Sequence, residues 1–168
     1  MPAQDPDELL PVVDEADRPV GLATRAEVHQ RGLFHRAVHI LVFDPAGRLY
    51  LQKRAAAKDT WPGRWISSAS GHVDPGEDYD QAARRELAEE LGLALPLSLV
   101  GRLPASSATE NEFTAVYRAV TDQPPQPNPE EIAEGRFFTP AAAWDLAQRP
   151  DLAVPSLAAI LKLAELSI

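Results

Sequence analysis

GHVDPGEDYDQAARRELAEELGL, running from Gly71 to Leu93, is the stretch on which the reading of this chain turns. From about Asp78 to Leu91 it is rich in Ala, Leu, Glu and Arg, all strong helix formers. Both ends are punctuated. Pro75-Gly76 makes a turn, Asp78 is placed to cap the helix N-terminus, and Gly92 stands where a left-handed residue would end it. At roughly 100° per residue, Glu86, Glu89 and Glu90 fall within an arc of about 100°, beside an apolar stripe of Ala83, Leu87 and Leu91. One stripe packs and the other faces a site.

Glu86 and Glu90 are like charges four residues apart, which weakens an isolated helix by a few tenths of a kcal/mol unless something offsets the repulsion. A divalent cation would do so. Magnesium takes oxygen ligands, keeps several waters, and is usually held by one or two carboxylates together with substrate phosphates. The bland alternative is a solvated acidic face on which Arg85 and Glu89 form an ordinary surface ion pair.

Gly71, Glu77, Arg85, Glu86, Leu87, Glu89, Glu90, Gly92 and Leu93 together resemble the Nudix box, G-x5-E-x7-R-E-U-x-E-E-x-G-U with U aliphatic, without a departure at any position. With average residue usage such a match arises by chance in fewer than about one in 10^8 windows, so the motif is specific for the family while silent about substrate.

The resemblance implies a Nudix fold, an α/β (α+β) architecture with a mixed β-sheet sandwiched between α-helices. It implies that Glu86, Glu89 and Glu90 supply ligands to Mg2+, with Mn2+ as a substitute, and that Gly71 adds a backbone carbonyl. Glu77 would reach back from the loop, and Arg85 would orient the carboxylates through charge-assisted hydrogen bonds, a role that suits its rigid fork. Bound cations neutralise charge that grows on the phosphate oxygens and lower the pKa of a water, from which a carboxylate removes the proton. Glu89 is one candidate for that base. Glu110 and Glu112, in ATENEFTAVY just before a strand-like run, are candidates beyond the box, or simply loop charges.

Composition agrees with an enzyme of this size. The chain has 168 residues, 45% of them hydrophobic, enough for one domain with a sizeable core. A formal net charge of −9 argues against a nucleic-acid polymer as partner. A small anionic substrate then needs a local basic patch, and Lys53, Arg54, Lys58 and Arg64 supply one upstream of the box. Trp65, with Trp61, offers a face for a base or an isoprenoid chain, or anchors the loop around Pro62-Gly63. There is no cysteine, which removes disulfides, thiolate nucleophiles and zinc-thiolate sites. With no secretory signal and no run of about 18 apolar residues, the chain reads as cytoplasmic, with no membrane partner.

Short strands are expected at Leu10–Val13 and Pro19–Leu22 in an N-terminal extension, 1–34, with a Thr-x-x-Glu capping box opening a helix over Thr24–His29. Further strands are expected at Ala37–Phe43, Arg48–Arg54, Trp65–Ala69, Leu97–Leu103, Glu112–Val120 and Gly135–Phe138, and helices at Ala141–Gln148 and Val154–Leu166. The proline-rich stretch 121–130 is a loop within a single domain spanning 1–168, since the segment C-terminal to it is too short to fold alone.

Beyond the box, VVDEADRPVG, HQRGLFHRAVHI, LYLQKR, WPGRWISSASGHVDPGE and ENEFTAVY, in that order, are similar to the Nudix branch related to isopentenyl diphosphate isomerase. The isomerase carries a proton-transferring Cys immediately before its Gly-His pair, where this chain has Ser70. A serine hydroxyl is a far weaker acid than a thiol. That enzyme's metal site uses histidines and an E-x-E pair, which points to a second metal site here around His35, His72, Glu110 and Glu112, with His29 as a further counterpart. The expected function is metal-dependent hydrolysis of a diphosphate linkage in a nucleoside di- or triphosphate or related nucleoside diphosphate compound. Isopentenyl diphosphate isomerisation and a non-catalytic nucleotide-binding regulatory module are the alternatives. The group on the diphosphate, the phosphorus attacked, the general base and the oligomeric state stay open on sequence alone.

Overall fold

The computed structural model describes residues 4–166; Met1, Pro2 and Ala3 of the expected extension, and Ser167 and Ile168, lie outside the described residues. In chain order it contains β1 (Leu9–Val13), β2 (Pro19–Thr24), α1 (Arg25–Arg31), β3 (His35–Phe43), β4 (Leu49–Arg54), β5 (Trp65–Ile66), β6 (Ala69–His72) and α2 (Tyr79–Leu91). Next come β7 (Ser98–Leu103), β8 (Glu112–Val120), β9 (Ile132–Phe138), α3 (Pro140–Ala147) and α4 (Ser156–Leu163).

β3 is the spine of a seven-stranded mixed sheet, and its Ala, Val, Ile, Leu and Phe residues are buried on both faces, as in a strand covered by helices on either side. β8 runs parallel to it in unbroken register, from His35 opposite Glu112 to Phe43 opposite Val120. The other edge of β3 serves two strands in turn. Its first half pairs with β6, setting Ala37 opposite His72, and Val42 and Phe43 pair with β4. β4 pairs onward with β5 and carries β9 along its far edge.

The expected strand Trp65–Ala69 is therefore two strands. β5 belongs to the edge of β4 and β6 to the edge of β3, and Ser67-Ser68 crosses between them. The Ser68 hydroxyl accepts from the Val42 N–H (2.8 Å) and donates to the Tyr50 carbonyl, so it satisfies backbone groups where β3 and β4 diverge. Gly135–Phe138 is extended back to Ile132, because β9 pairs with β4 along that length. The last helix is shorter than Val154–Leu166. The Val154 N–H is bonded to the Trp65 carbonyl, and Glu165 is left-handed just beyond the helix end. α1 keeps half of its capping box: the Thr24 hydroxyl accepts from the Glu27 N–H (3.2 Å), while the Glu27 carboxylate accepts from Arg31 (3.3 Å).

Two cores lie on opposite faces of the sheet. Val38, Ile40 and Val42 pack with Tyr117 against Ala83, Leu87 and Leu91 of α2. Leu41, Phe43, Leu51 and Val116 pack against Ala143 of α3 and Leu157, Ile160 and Leu161 of α4. Each fully buried leucine or isoleucine side chain contributes roughly 1.5–3 kcal/mol relative to an exposed one. This sandwich fixes the polar edge of α2 beside β6. A smaller cluster of Leu10, Ala23 and Val28 holds the β1–β2 hairpin to α1.

Candidate active site

A cleft of about 870 Å³ opens beside β6 and α2. Among its lining residues are Gly71, His72, Arg85, Glu86, Glu89 and Glu90. α2 starts where the sequence places its cap: Asp78 accepts from the Gln81 N–H (2.8 Å) and Gln81 returns the bond to the Asp78 N–H (3.0 Å). At the other end Gly92 is left-handed, with φ +64°. Between these caps the helix phase turns the three glutamates toward the cleft edge.

Arg85 braces the cluster. Its Nε and Nη2 donate to both Glu77 oxygens (2.8 and 2.9 Å), Nη1 donates to Glu86 (2.7 Å) and Glu89 (3.3 Å), and Nη2 reaches the His72 carbonyl (3.0 Å). Glu77 does not line the cleft and stands behind Arg85. Burial alone would raise its pKa, but the bonds from Arg85 and the Asp74 N–H outweigh burial and lower it.

Glu90 is 5% exposed, and its Oε1 accepts from both the Ser70 N–H and Gln52 Nε2 (2.9 Å each). Burial is the main cause that pushes its pKa up to about 7. Glu86 is also raised, by burial first and then by Glu90, against the pull of Arg85. Glu89 is the open member, its side chain 59% exposed. Gly71 has no special backbone angle; what it lacks is room. A Cβ there would lie 2.1 Å from Glu86 Oε1, so a side chain at this position displaces the carboxylate. Buried, mutually repelling carboxylates with a free oxygen on Glu90 match the hard-oxygen preference of magnesium or manganese.

A second cluster is assembled by the sheet. The β3–β8 register sets His35 beside Glu112, the β3–β6 register brings His72 close, and α1 supplies His29. Ring nitrogens of His29, His35 and His72 lie within 4.8 Å of one another. Glu112 Oε2 stands 3.1 Å from His72 Nε2 and 3.5 Å from His35 Nε2. His72 Nδ1 accepts from Arg25 (3.1 Å), which leaves its Nε2–H to donate to Glu112. Burial lowers His72 to about 4 although Glu112 opposes the shift. Burial would raise Glu112, but His35 and His72 hold it far below the usual carboxylate range. His35 Nδ1 lies 2.8 Å from the Leu33 carbonyl, and its buried Nε2, 3.5 Å from Glu112 Oε2, has no hydrogen-bond partner among the described residues. An unpartnered buried ring nitrogen beside a carboxylate is an arrangement that a cation held between them would satisfy. Glu110 departs from this cluster: its carboxylate accepts from the Trp61 indole N–H.

The basic residues separate. Arg54 lines the cleft and donates to the Thr60 carbonyl (2.9 Å) and hydroxyl (3.1 Å); among the described residues it has no carboxylate at ion-pair distance. Lys58 also lines the cleft but is paired with Glu131. Lys53, Arg64 and Trp65, expected at the substrate, do not line it. Strand alternation turns Gln52 and Arg54 one way and Lys53 the other. Arg64 is spent on the Asp151 carbonyl (2.7 Å). Trp65 is 5% exposed, edge-to-face on Phe138 at 5.2 Å, inside the core beneath α3 and α4.

Two contributors do not stand out in the sequence. Arg25 is buried between Asp59 (3.2 Å), Glu8 (3.8 Å) and His72, and it ties the N-terminal segment to the cleft wall. Gln52 orients Glu90, and its only sequence signal is a polar residue inside the apolar strand LYLQKR.

The family pattern for the NUDIX domain matches residues 33–160. The chain belongs to the Nudix family. Among relatives of this Nudix protein, an isopentenyl-diphosphate Delta-isomerase of Nocardia farcinica is 41% identical, covering 92% of this chain and 93% of that one. An uncharacterised Nudix hydrolase of Pseudomonas aeruginosa is also 41% identical, covering 91% of each. A crystal structure from Deinococcus radiodurans superposes with a TM-score of 0.82 at 28% identity, covering 92% of this chain and 98% of that one.

Proposed function

We propose that this Nudix protein hydrolyses the diphosphate linkage of a nucleoside di- or triphosphate, or a related nucleoside diphosphate compound, with magnesium or manganese bound by Glu86, Glu89 and Glu90 and the Gly71 carbonyl. The observation that carries this reading is the complete carboxylate edge of α2, braced by Arg85 and facing a cleft in which Ser70 occupies the place of a proton-transferring thiol. A bound divalent ion supplies charge neutralisation and a more acidic water. The chain's own groups do the rest. Arg54 meets the phosphate charge. Ser70 N–H and Gln52 hold Glu90 in one orientation, and Arg85 does the same for Glu77 and Glu86. Glu89, exposed and held only by the long bond to Arg85, is the carboxylate free to take a proton from water. Glu112 is the second candidate base, though its depressed pKa makes it a weak one. With no helix among the described residues long and apolar enough to cross a membrane, a cytoplasmic site of action is part of this proposal.

The second reading is isopentenyl diphosphate isomerisation, favoured by the name of the Nocardia relative and by the His29–His35–His72–Glu112 cluster, where a second metal ion would fit. Against it stands Ser70, whose hydroxyl is a poor proton donor. A non-catalytic nucleotide-binding module is a third. Turnover of nucleoside diphosphates, nucleotide sugars and isopentenyl diphosphate, with and without magnesium, separates all three. Replacing Glu89 by Gln is expected to slow hydrolysis by at least about 10²-fold. Unchanged turnover in that variant removes Glu89 from the chemistry.

A further inference from the structure

Trp61 and Trp65 sit four apart, yet they do different work. Trp65 is the anchor of the segment, 5% exposed in the core, whereas Trp61 is 36% exposed and lines the cleft. Its backbone is left-handed, φ +48°, a conformation in which a bulky residue persists only when its surroundings hold it. They do. The Arg64 N–H closes a turn onto the Trp61 carbonyl (3.3 Å), with Pro62 and left-handed Gly63 at its centre, and the Gly63 N–H ties that turn to the Arg54 carbonyl (3.0 Å). On the other side Arg54 grips both oxygens of Thr60. The indole N–H is held by Glu110, itself left-handed at φ +56°. Two left-handed residues on different loops, both lining the cleft, are thus joined through the indole N–H, which orients the ring.

Trp61 is also the one Trp, Tyr or Phe among the described residues lining the cleft. The remaining lining is mostly polar or charged, with Thr60, Asn128 and Gln4 offering hydrogen-bonding groups. The apolar part of the lining, Leu9, Ile66, Val154 and Pro155 among it, is aliphatic, so Trp61 supplies the flat π surface of the cleft. A nucleobase, with a π face and a polar edge, matches one aromatic ring set among hydrogen-bonding groups. The same Arg54 that meets the phosphates clamps the residue preceding the ring, so the two subsites form one unit.

We propose that the Trp61 indole is the face on which the substrate's base stacks, and that this ring sets the preference for nucleosides over other diphosphates; the inference rests on the nucleotide reading of the site. The test compares nucleoside diphosphates with ribose 5-diphosphate, which lacks the base, in the wild type, Trp61→Phe and Trp61→Leu. In Trp61→Leu the ratio of kcat/KM for the nucleoside over the base-free compound is expected to fall about ten- to a hundredfold, and in Trp61→Phe to be largely kept. An unchanged ratio, or a parallel fall for both compounds, overturns the proposal. As a check independent of the Leu variant's folding, an α,β-methylene nucleoside diphosphate with magnesium should quench tryptophan fluorescence in the wild type and fail to do so in Trp61→Phe; equal quenching in both also overturns it. If the wild type turns over neither nucleoside diphosphates nor nucleoside triphosphates, the nucleotide reading fails and takes this inference with it. Failure in the variant arms alone leaves the nucleotide reading standing.

Discussion

At the scale of single residues the site works by exclusion as much as by attraction. Gly71 is needed because the Glu86 carboxylate occupies the space of its Cβ. In Gly71→Ala the displaced group is the end of a flexible side chain, so the fold should survive while kcat/KM falls by at least about 10²-fold, comparable to losing a main electrostatic group. Circular dichroism beside the rate would check both halves, and retained activity would show that the Glu86 position is not critical. Glu90 gives a pH test with a definite sign. Its folded pKa, about 7 without metal, lies above the value of about 4.3 expected in an unfolded chain. Its contribution to stability is therefore complete below the lower value and lost as pH rises through the higher one. In chelator, the wild type should lose melting temperature relative to Glu90→Gln between about pH 5 and about pH 8, and magnesium should restore the wild type at the alkaline end. Parallel pH profiles would contradict the placement of Glu90 as a carboxyl whose burial outweighs its hydrogen bonds.

At the scale of elements, α2 carries its instructions locally. Asp78, Gln81 and Gly92 set its ends and the spacing of Glu86, Glu89 and Glu90 sets its phase, so the helix and its polar edge are legible without any knowledge of the rest of the chain. Removing the cap in Asp78→Ala should cost about 1 kcal/mol. For a chain of this length that is about 2–4 °C in melting temperature, measurable by calorimetry, and no change would mean that the packed face alone defines the helix start. Strands depend on partners and are less legible. The crossing at Ser67-Ser68 exists because β4 and β3 diverge, and Trp65 lies in the core because β5 pairs with β4 under α3 and α4. Neither can be inferred from local pattern. Lys53 and Arg54 look equivalent in sequence until strand alternation separates them.

At the scale of the whole molecule, the cleft joins parts that are far apart in sequence. α1 brings His29 and Arg25, β3 brings His35, β6 brings Gly71 and His72, α2 brings the glutamates and β8 brings Glu112. The histidines can be named from sequence only through resemblance, since their meeting depends on two strand registers. Arg25 carries no signal at all, because its importance comes from Glu8, Asp59 and His72 closing around it. The outcome is one cleft that holds a carboxylate edge and a histidine cluster side by side. Phosphorus-31 NMR in 18O-enriched water, with magnesium and a mixture of nucleoside diphosphates and isopentenyl diphosphate, distinguishes the two directly. The account predicts 18O entering one phosphate product of the nucleoside diphosphates, with no such product when magnesium is chelated. Conversion of isopentenyl diphosphate to its isomer, with no phosphorus product and no 18O incorporation, would contradict it.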